Sequence, residues 1–131
     1  MIRKVVKAVL AISLIGIVGC ITLPLSKEEK YDILLTNKKV PLDQISTMIK
    51  AGCKDRDWIC TDKEPGKIEA LLNNRGHIVR LNILYNADAL TFIYISSKNM
   101  KEDGSSIHRK YYNWLDNLVS SIQERINKAN L

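Results

Sequence analysis

Histidine and cysteine, on which much catalytic and metal chemistry depends, are scarce in this sequence. The chain has two histidines, His77 and His108, and three cysteines. It has no glycine-rich phosphate loop, no Gly-x-Ser-x-Gly nucleophile motif and no paired-carboxylate signature. The pair Cys53 and Cys60, with no histidine pair nearby, matches no zinc-site spacing. We therefore expect no cofactor and no metal, and we expect that the protein is not an enzyme.

Acidic residues are absent from the first 19 residues, which carry three basic residues ahead of an apolar stretch from Ala8 to Val18. A basic region, a short apolar region and a small residue before the cleaved bond are typical of a secretory signal. The run Ile17-Val18-Gly19-Cys20 also has the apolar-x-small-Cys pattern of a bacterial lipoprotein signal. We predict that residues 1–19 are removed and that the Cys20 sulfur is lipidated with a diacylglyceryl group, often accompanied by an N-acyl chain such as palmitate.

Two other interpretations of this segment stay open. The apolar run from Ala8 to Leu25 approaches the length that spans a bilayer, so an uncleaved signal anchor is the main alternative. Pro24 and the small residues near Cys20 favour cleavage instead. A buried core helix is disfavoured by the basic flank and the terminal position.

Cleavage would change the apparent charge and size of the protein. Three of the 20 Lys and Arg residues but none of the 14 Asp and Glu residues lie in residues 1–19. The formal charge would therefore fall from +6 to +3, and 112 of the 131 residues would remain. This length supports one small domain. The basic pI is then poor evidence for a nucleic-acid partner, and we expect none.

We predict a lipidated tether over residues 20–39 and one domain over residues 40–131. Lys27 and Glu28 begin a run of charged residues that is typical of a polar spacer. The membrane would then be a partner through the lipid, with the domain facing the periplasm. By resemblance to enteric sorting signals, Ile21 in place of Asp favours the outer membrane over the inner one.

Cys53 and Cys60 form an even pair once Cys20 is lipidated. In an oxidising compartment a disulfide between them can persist. Closing this eight-residue loop would stabilise the fold by about 2.5 kcal/mol in the chain-entropy model. Free thiols are the second interpretation, and a metal site is the third.

The hydrophobic pattern predicts an α+β fold: a helix, a four-stranded antiparallel meander and a long C-terminal helix packed on one sheet face. The first helix is expected from Pro41 to Ala51, with Gly52 just past its end. Short turns predict that adjacent strands pair. The elements expected after it are strands at residues 57–63, 67–73, 77–85 and 90–95 and a helix at residues 107–128.

The other face of the predicted sheet carries apolar residues among polar ones: Leu71, Ile78, Leu84, Ile93 and Ile95. Ordinary exposure on a solvated face is the favoured explanation. The alternative is a contact surface for an envelope protein or for a homodimer.

A set of short motifs lies between Trp58 and Ile122. They are Trp58, Pro65-Gly66, Arg75-Gly76-His77, Tyr94-Ile95-Ser96-Ser97-Lys98-Asn99 and, in the stretch from Ile107 to Leu118, Ile107-His108, Tyr112-Asn113 and Trp114. In these motifs the stretch resembles a family of small bacterial lipoproteins whose function is uncharacterised. Met100 stands where the pattern has Leu, and the Cys53–Cys60 pair is outside the pattern. The resemblance covers most of the predicted domain and implies the same fold and lipid anchor but no activity.

Four side chains have the chemistry of a ligand site: Arg75, His77, His108 and Trp114. We expect the pKa of His108 to be lowered by the dipole of the following helix. Structural roles at a strand end, a helix start and the core are favoured over ligand binding for these residues. The sequence therefore predicts a lipid-anchored envelope protein that acts as a protein-interaction or envelope-assembly module. The alternatives are a periplasmic glycan- or anion-binding module that uses Arg75, His77 and Trp114, and, least favoured, a small hydrolase.

Overall fold

The computed structural model describes residues 21–33 and 39–129, and the predicted signal peptide and Cys20 lie outside these residues. Alternating apolar residues form the strands, and apolar residues at helical spacing form the helices. In chain order the elements are β1 (Thr22–Pro24), β2 (Glu28–Asp32), α1 (Leu42–Asp55), β3 (Trp58–Glu64), β4 (Lys67–Asn74), β5 (His77–Tyr85), β6 (Ala89–Lys98), β7 (Ser106–His108) and α2 (Lys110–Ala129).

The α+β class is confirmed, but the expected count of four strands is wrong. One sheet has five strands in the order β2-β6-β5-β4-β3, and β1 pairs with β7 in a separate two-stranded ribbon. All of these pairs are antiparallel. The predicted meander is therefore present as β3 to β6, and β2, which lies outside the predicted domain, adds a fifth strand to it.

The predicted tether is corrected by these added strands. In β2, Glu28 pairs with Ile93 and Asp32 pairs with Ala89, so this segment forms an edge of the main sheet. Tyr31 of β2 also packs edge-on against Phe92, with ring centroids 5.6 Å apart. Backbone hydrogen bonds and one aromatic contact hold a charged segment that has little apolar alternation. The domain therefore includes residues 22–32, and not only residues after 40.

Turns of two or three residues join the strands of the meander. Pro65 and Gly66 connect β3 to β4, and Gly66 has a φ of +87°.

Strand β6 is longer than predicted and contains a bulge. It continues to Lys98, beyond the expected end at Ile95. A register shift opposite Arg80 and Leu81 places an extra residue in it. The extra residue is Ile95, because Arg80 pairs with Ser96 and Leu81 pairs with Tyr94. Such a bulge bends a strand and changes the facing of its side chains.

One core joins the two described helices to one face of the sheet. Ile45 and Ile49 of α1 and Leu115 and Ile122 of α2 are fully buried. On the sheet, the side chains that belong to the same core are Ile68, Ala70, Leu72, Val79, Leu81, Ile83, Leu90, Phe92 and Tyr94. The predicted cover of one sheet face by helices is therefore present.

Gly52 has a different role from the predicted one. It lies inside α1, which continues to Asp55, and not past the end of the helix. A Cβ atom at Gly52 would lie 2.7 Å from Cα of Ile122. The absence of a side chain therefore lets α1 and α2 approach closely.

The Cys53–Cys60 disulfide is present and joins α1 to β3. The Cα atoms of the two residues are 6.3 Å apart, within the usual range for a disulfide. Cys53 is buried, and Trp58, just after the turn, is buried beside it in the same core. The disulfide thus fixes the short connection between the helix and the sheet.

Candidate functional site

Arg75 lies in the tight turn between β4 and β5. Arg75 and Gly76 have φ values of +55° and +88°, the signs that a type I′ hairpin turn requires. The side chain of Asn73 accepts a hydrogen bond from N–H of Gly76 at 3.0 Å, and the side chain of Asn99 donates one to O of Gly76 at 2.7 Å. These bonds fix the backbone that carries Arg75 and, at the start of β5, His77.

His77 is exposed and is held by the segment that follows β6. Its Nδ1 donates a hydrogen bond to the backbone O of Asn99 at 2.7 Å, which leaves Nε2 as the acceptor nitrogen of the neutral ring. Its ring centroid is 6.4 Å from that of Trp114, with the planes tilted by 48°. His77 and Trp114 are therefore neighbours, as a shared site would require.

His108 lies in β7 and not in the C-terminal helix as predicted. The helix α2 begins at Lys110, three residues after the predicted start at residue 107. Its Nδ1 accepts a hydrogen bond from N–H of Lys110 at 3.1 Å and so caps the start of α2. Burial lowers the pKa of His108, and the charges of Lys110, Arg109, His77 and Lys101 lower it further. The predicted direction is confirmed, although desolvation and neighbouring charges account for it.

Arg75 and Trp114 line a cleft of about 520 Å³ between the end of α1, the β4–β5 turn and α2. This volume is within the range of small-molecule sites. The lining combines two tryptophans with charged and amide side chains. The lining residues are Asp55, Arg56, Asp57, Trp58, Leu72, Asn73, Asn74, Arg75, Trp114 and Asn117.

Some polar groups of the cleft stabilise the fold. Asp55 accepts two hydrogen bonds from Arg125, at 2.7 and 2.8 Å, and these lower its pKa. Arg56 donates one to Ser121 at 2.7 Å. By contrast, within residues 21–33 and 39–129 the side chains of Arg75 and Asn117 have no hydrogen bond or ion pair. These two can therefore bind a ligand without breaking an internal contact.

The four predicted side chains lie at one end of the domain but do not form one pocket. Arg75 and Trp114 line the cleft, His77 lies beside Trp114, and His108 caps α2. Each histidine uses its Nδ1 in a local hydrogen bond. Over the described ranges, no group of three or more His, Cys, Asp or Glu side chains is arranged to hold a metal ion.

Sequence reasoning did not find Asn73, Asn74 and Asn117 as part of the cleft. Asn73 and Asn74 directly precede Arg75, so their position in the same turn indicates that they lie near it. Asn117 is three residues after Trp114, a spacing that brings two residues to neighbouring positions on a helix surface.

The open face of the sheet is a second candidate surface. Ile59, Leu84 and Ile95 are 66%, 40% and 42% exposed, and Leu71, Ile78 and Ile93 are half-buried. In the same face, Glu69 forms ion pairs with Lys63 at 3.3 Å and with Arg80 at 3.8 Å. The face therefore mixes apolar side chains with paired charges.

Comparison with protein-family models, curated proteins and solved structures finds no match to this chain. The resemblance to small bacterial lipoproteins therefore stays a prediction. Among the helices of residues 21–33 and 39–129, none has the length and apolar character needed to cross a bilayer.

Proposed function

We propose that the protein is a non-enzymatic lipoprotein of the bacterial cell envelope, anchored through Cys20, whose domain binds another envelope protein. The domain would face the periplasm, and the outer membrane is favoured because Ile follows the lipidated cysteine. The lipoprotein motif supports the anchor. The Cys53–Cys60 disulfide supports an exported, oxidising location, because such bonds are rare in reducing compartments.

The observation that supports the binding role most strongly is the uncovered face of the sheet. Helices cover one face, whereas the other exposes Ile59 to 66%. Leu71 pairs with Ile59 across β3 and β4, and directly opposite residues in a sheet point to the same side. These adjacent apolar side chains, with the ion-paired Glu69 nearby, provide both apolar area and charge for a protein partner.

Site-specific photocrosslinking in intact cells tests this role. A photoreactive residue at Ile59 should yield an adduct with one envelope protein, and the same residue at exposed Ser120 of α2 should not. The adduct should be lost with Cys20→Ser, which removes the lipid. Equal adducts from both positions, or none from Ile59, would contradict the proposal, and an adduct of doubled mass would identify a homodimer as the partner.

A second function, binding of a glycan or an anion, is favoured by one observation. Arg75 and Trp114 line the same cleft, and the Arg75 side chain is free to bind a ligand. A tryptophan ring can stack against a sugar, while arginine and amide side chains bind its hydroxyl or acidic groups. Soluble peptidoglycan fragments have this chemistry.

Calorimetric titration with these fragments distinguishes this function from the first. Arg75→Ala and Trp114→Ala should each weaken binding, while Arg80→Ala, on the open sheet face, should not. No heat of binding with the wild-type protein would exclude the glycan function. A turnover of the fragments that His77→Ala or His108→Ala abolishes would instead contradict the non-enzymatic proposal.

A further inference from the structure

The predicted lipid anchor, Cys20, is followed directly by a residue that is bonded to the domain. The backbone O of Ile21 accepts a hydrogen bond from N–H of Arg109 at 2.8 Å, and Thr22 pairs with His108. Ile21 is the residue next to Cys20, and consecutive Cα atoms are about 3.8 Å apart. A lipid on Cys20 would therefore be attached directly to a fixed point of the domain, with no spacer between them.

The surface around this point is basic. Lys101, Arg109 and Lys110 are exposed, and Lys101 follows Met100, whose O accepts a hydrogen bond from N–H of His108 at 2.7 Å. Within the described residues, none of the three cations is in an ion pair. We call this surface, formed by Ile21, Lys101, Arg109 and Lys110, the basic end.

Within the described residues, the acidic side chains nearest in sequence form no ion pair with the basic end. Glu102 and Asp103 lie in the loop before β7, where their carboxylates accept hydrogen bonds from backbone N–H groups of the same loop. N–H of Leu25 donates to O of Ser105 in that loop, whereas Ile21 bonds to Arg109. The acidic loop therefore lies at the opposite end of β1 from Ile21.

Exposed apolar side chains also lie at or next to the basic end. Ile21 and Leu23 are 43% and 42% exposed. Exposed apolar side chains beside cations are typical of surfaces that bind at the membrane interface. Each Lys or Arg near an anionic bilayer strengthens binding about five-fold.

We propose that the basic end rests on the anionic phospholipid headgroups of the membrane that holds the Cys20 lipid, so that the domain has a fixed orientation on the bilayer. This inference rests on the anchor in the proposed function. The orientation follows from three independent features: the attachment point at Ile21, the unpaired cations and the exposed apolar side chains. It also brings the Arg75–His77 turn close to the membrane, because His77 donates a hydrogen bond to O of Asn99, two residues before Lys101.

Amine labelling of the full-length lipidated protein tests this orientation. The protein is placed in vesicles of phosphatidylcholine with phosphatidylglycerol, or of phosphatidylcholine alone, and lysine acetylation is followed by mass spectrometry. Lys101 and Lys110 should be labelled about five-fold more slowly in the anionic vesicles, and the difference should shrink at high salt. The matched controls are Lys30 and Lys67, which should be labelled equally in both.

The controls lie far from the basic end. Lys30, Thr91, Leu84 and Lys67 form one row of paired residues across the sheet. Thr91 and Asn99 are eight residues apart along β6 and its continuation, or about 26 Å for an extended chain. Lys30 and Lys67 therefore report the general accessibility of the domain on each vesicle.

A charge-reversal variant separates electrostatic contact from other causes. Arg109→Glu with Lys110→Glu should abolish the protection of Lys101, and an acidic residue in the first turn of α2 is compatible with the helix. Equal labelling of Lys101 in both vesicles with the wild-type protein would overturn the proposal. The mass of the N-terminal peptide in the same sample tests the anchor separately, since an unlipidated Cys20 would overturn both proposals.

Discussion

The N-terminal segment (residues 21–33) and the meander (β3 to β6) belong to the same domain but join it through different kinds of contact. In the meander, each strand pairs with the next strand in sequence through a short turn. In the N-terminal segment, Thr22 pairs with His108 and Glu28 pairs with Ile93, so both contacts are distant in sequence. The comparison shows that a charged segment beside a predicted lipid anchor can be part of the fold and need not be a spacer.

Disruption of the contact between α1 and α2 should have the largest effect on stability. We expect Gly52→Val to lower the free energy of unfolding by about 3 kcal/mol, because its side chain would overlap the backbone of Ile122. Denaturant unfolding measures this. Lys54→Val, an exposed change in the same helix, is the control and should cost only a few tenths of a kcal/mol. A similar, small loss for both variants would show that the helices do not meet closely at Gly52.

The disulfide joins α1 to β3, the first strand of the meander. Reduction of the Cys53–Cys60 bond should lower the free energy of unfolding by about 2.5 kcal/mol. The double variant Cys53→Ala with Cys60→Ala should show a comparable loss and should be insensitive to reductant. Denaturant unfolding with and without dithiothreitol is the measurement. Identical curves for the reduced and oxidised wild-type protein would contradict a stabilising bond.

Loss of the hydrogen bonds to β6 should detach the N-terminal segment and leave the meander folded. Tyr94 donates to O of Lys27, and Ile33 donates to O of Asp88. Because an antiparallel ladder alternates, N–H of Glu29 faces β6 and N–H of Lys30 faces away. We expect Glu29→Pro to cost about 2 kcal/mol, and Lys30→Pro to be tolerated at this sheet edge.

Hydrogen exchange of the two proline variants gives the readout. Glu29→Pro should increase exchange in residues 27–33 and leave β4 and β5 protected. An equal effect of the two substitutions would mean that this segment does not pair with β6 in the described register.

The smallest expected effect concerns the loop that leads to β7, the partner of β1. N–H groups of Ser105 and Ser106 donate to Asp103 and lower its pKa to about 2, from an ordinary value of 3.8. A folded-state pKa below the unfolded one means that this contribution is present above about pH 4 and is lost as the pH falls through 2. NMR titration of Asp103 should give this midpoint, with slow exchange of Ser106 N–H above it. In Asp103→Asn, loop order should not depend on pH in this range, and a midpoint near 3.8 in the wild-type protein would contradict the capping role.

Sequence patterns predicted the elements whose signals are local. Alternation from His77 to Tyr85 and the Pro65–Gly66 and Arg75–Gly76 turns predicted the meander, and helical spacing from Tyr111 to Ile126 predicted α2. β1 and β2 were missed because their stability comes from distant partners. The sequence of β2, Glu-Glu-Lys-Tyr-Asp, has a single apolar ring to indicate a buried side.

The same distinction applies to the candidate site. The chemistry of Arg75, His77 and Trp114 is visible in the sequence, whereas their proximity depends on the contact between the β4–β5 turn and α2. Asn117 and Asp55 reach the cleft only through helix packing. Gly52 was assigned to a helix end because glycine is frequent there, whereas its role depends on Ile122, 70 residues later in the chain.

Hydrogen exchange of residues 21–33 in the full-length lipidated protein is the most direct test of the claim that the chain folds immediately after the anchor. N–H of Leu25 donates to Ser105, N–H of Ile33 donates to Asp88, and the alternation of the ladder turns N–H of Glu29 and Tyr31 toward β6, so we expect these four amides to exchange slowly, unlike the outward-facing N–H of Lys30. Exchange of these four amides at the rate of an unstructured peptide, with β4 to β6 still protected, would contradict the claim. The segment would then be a tether, and the domain would not be held against the membrane.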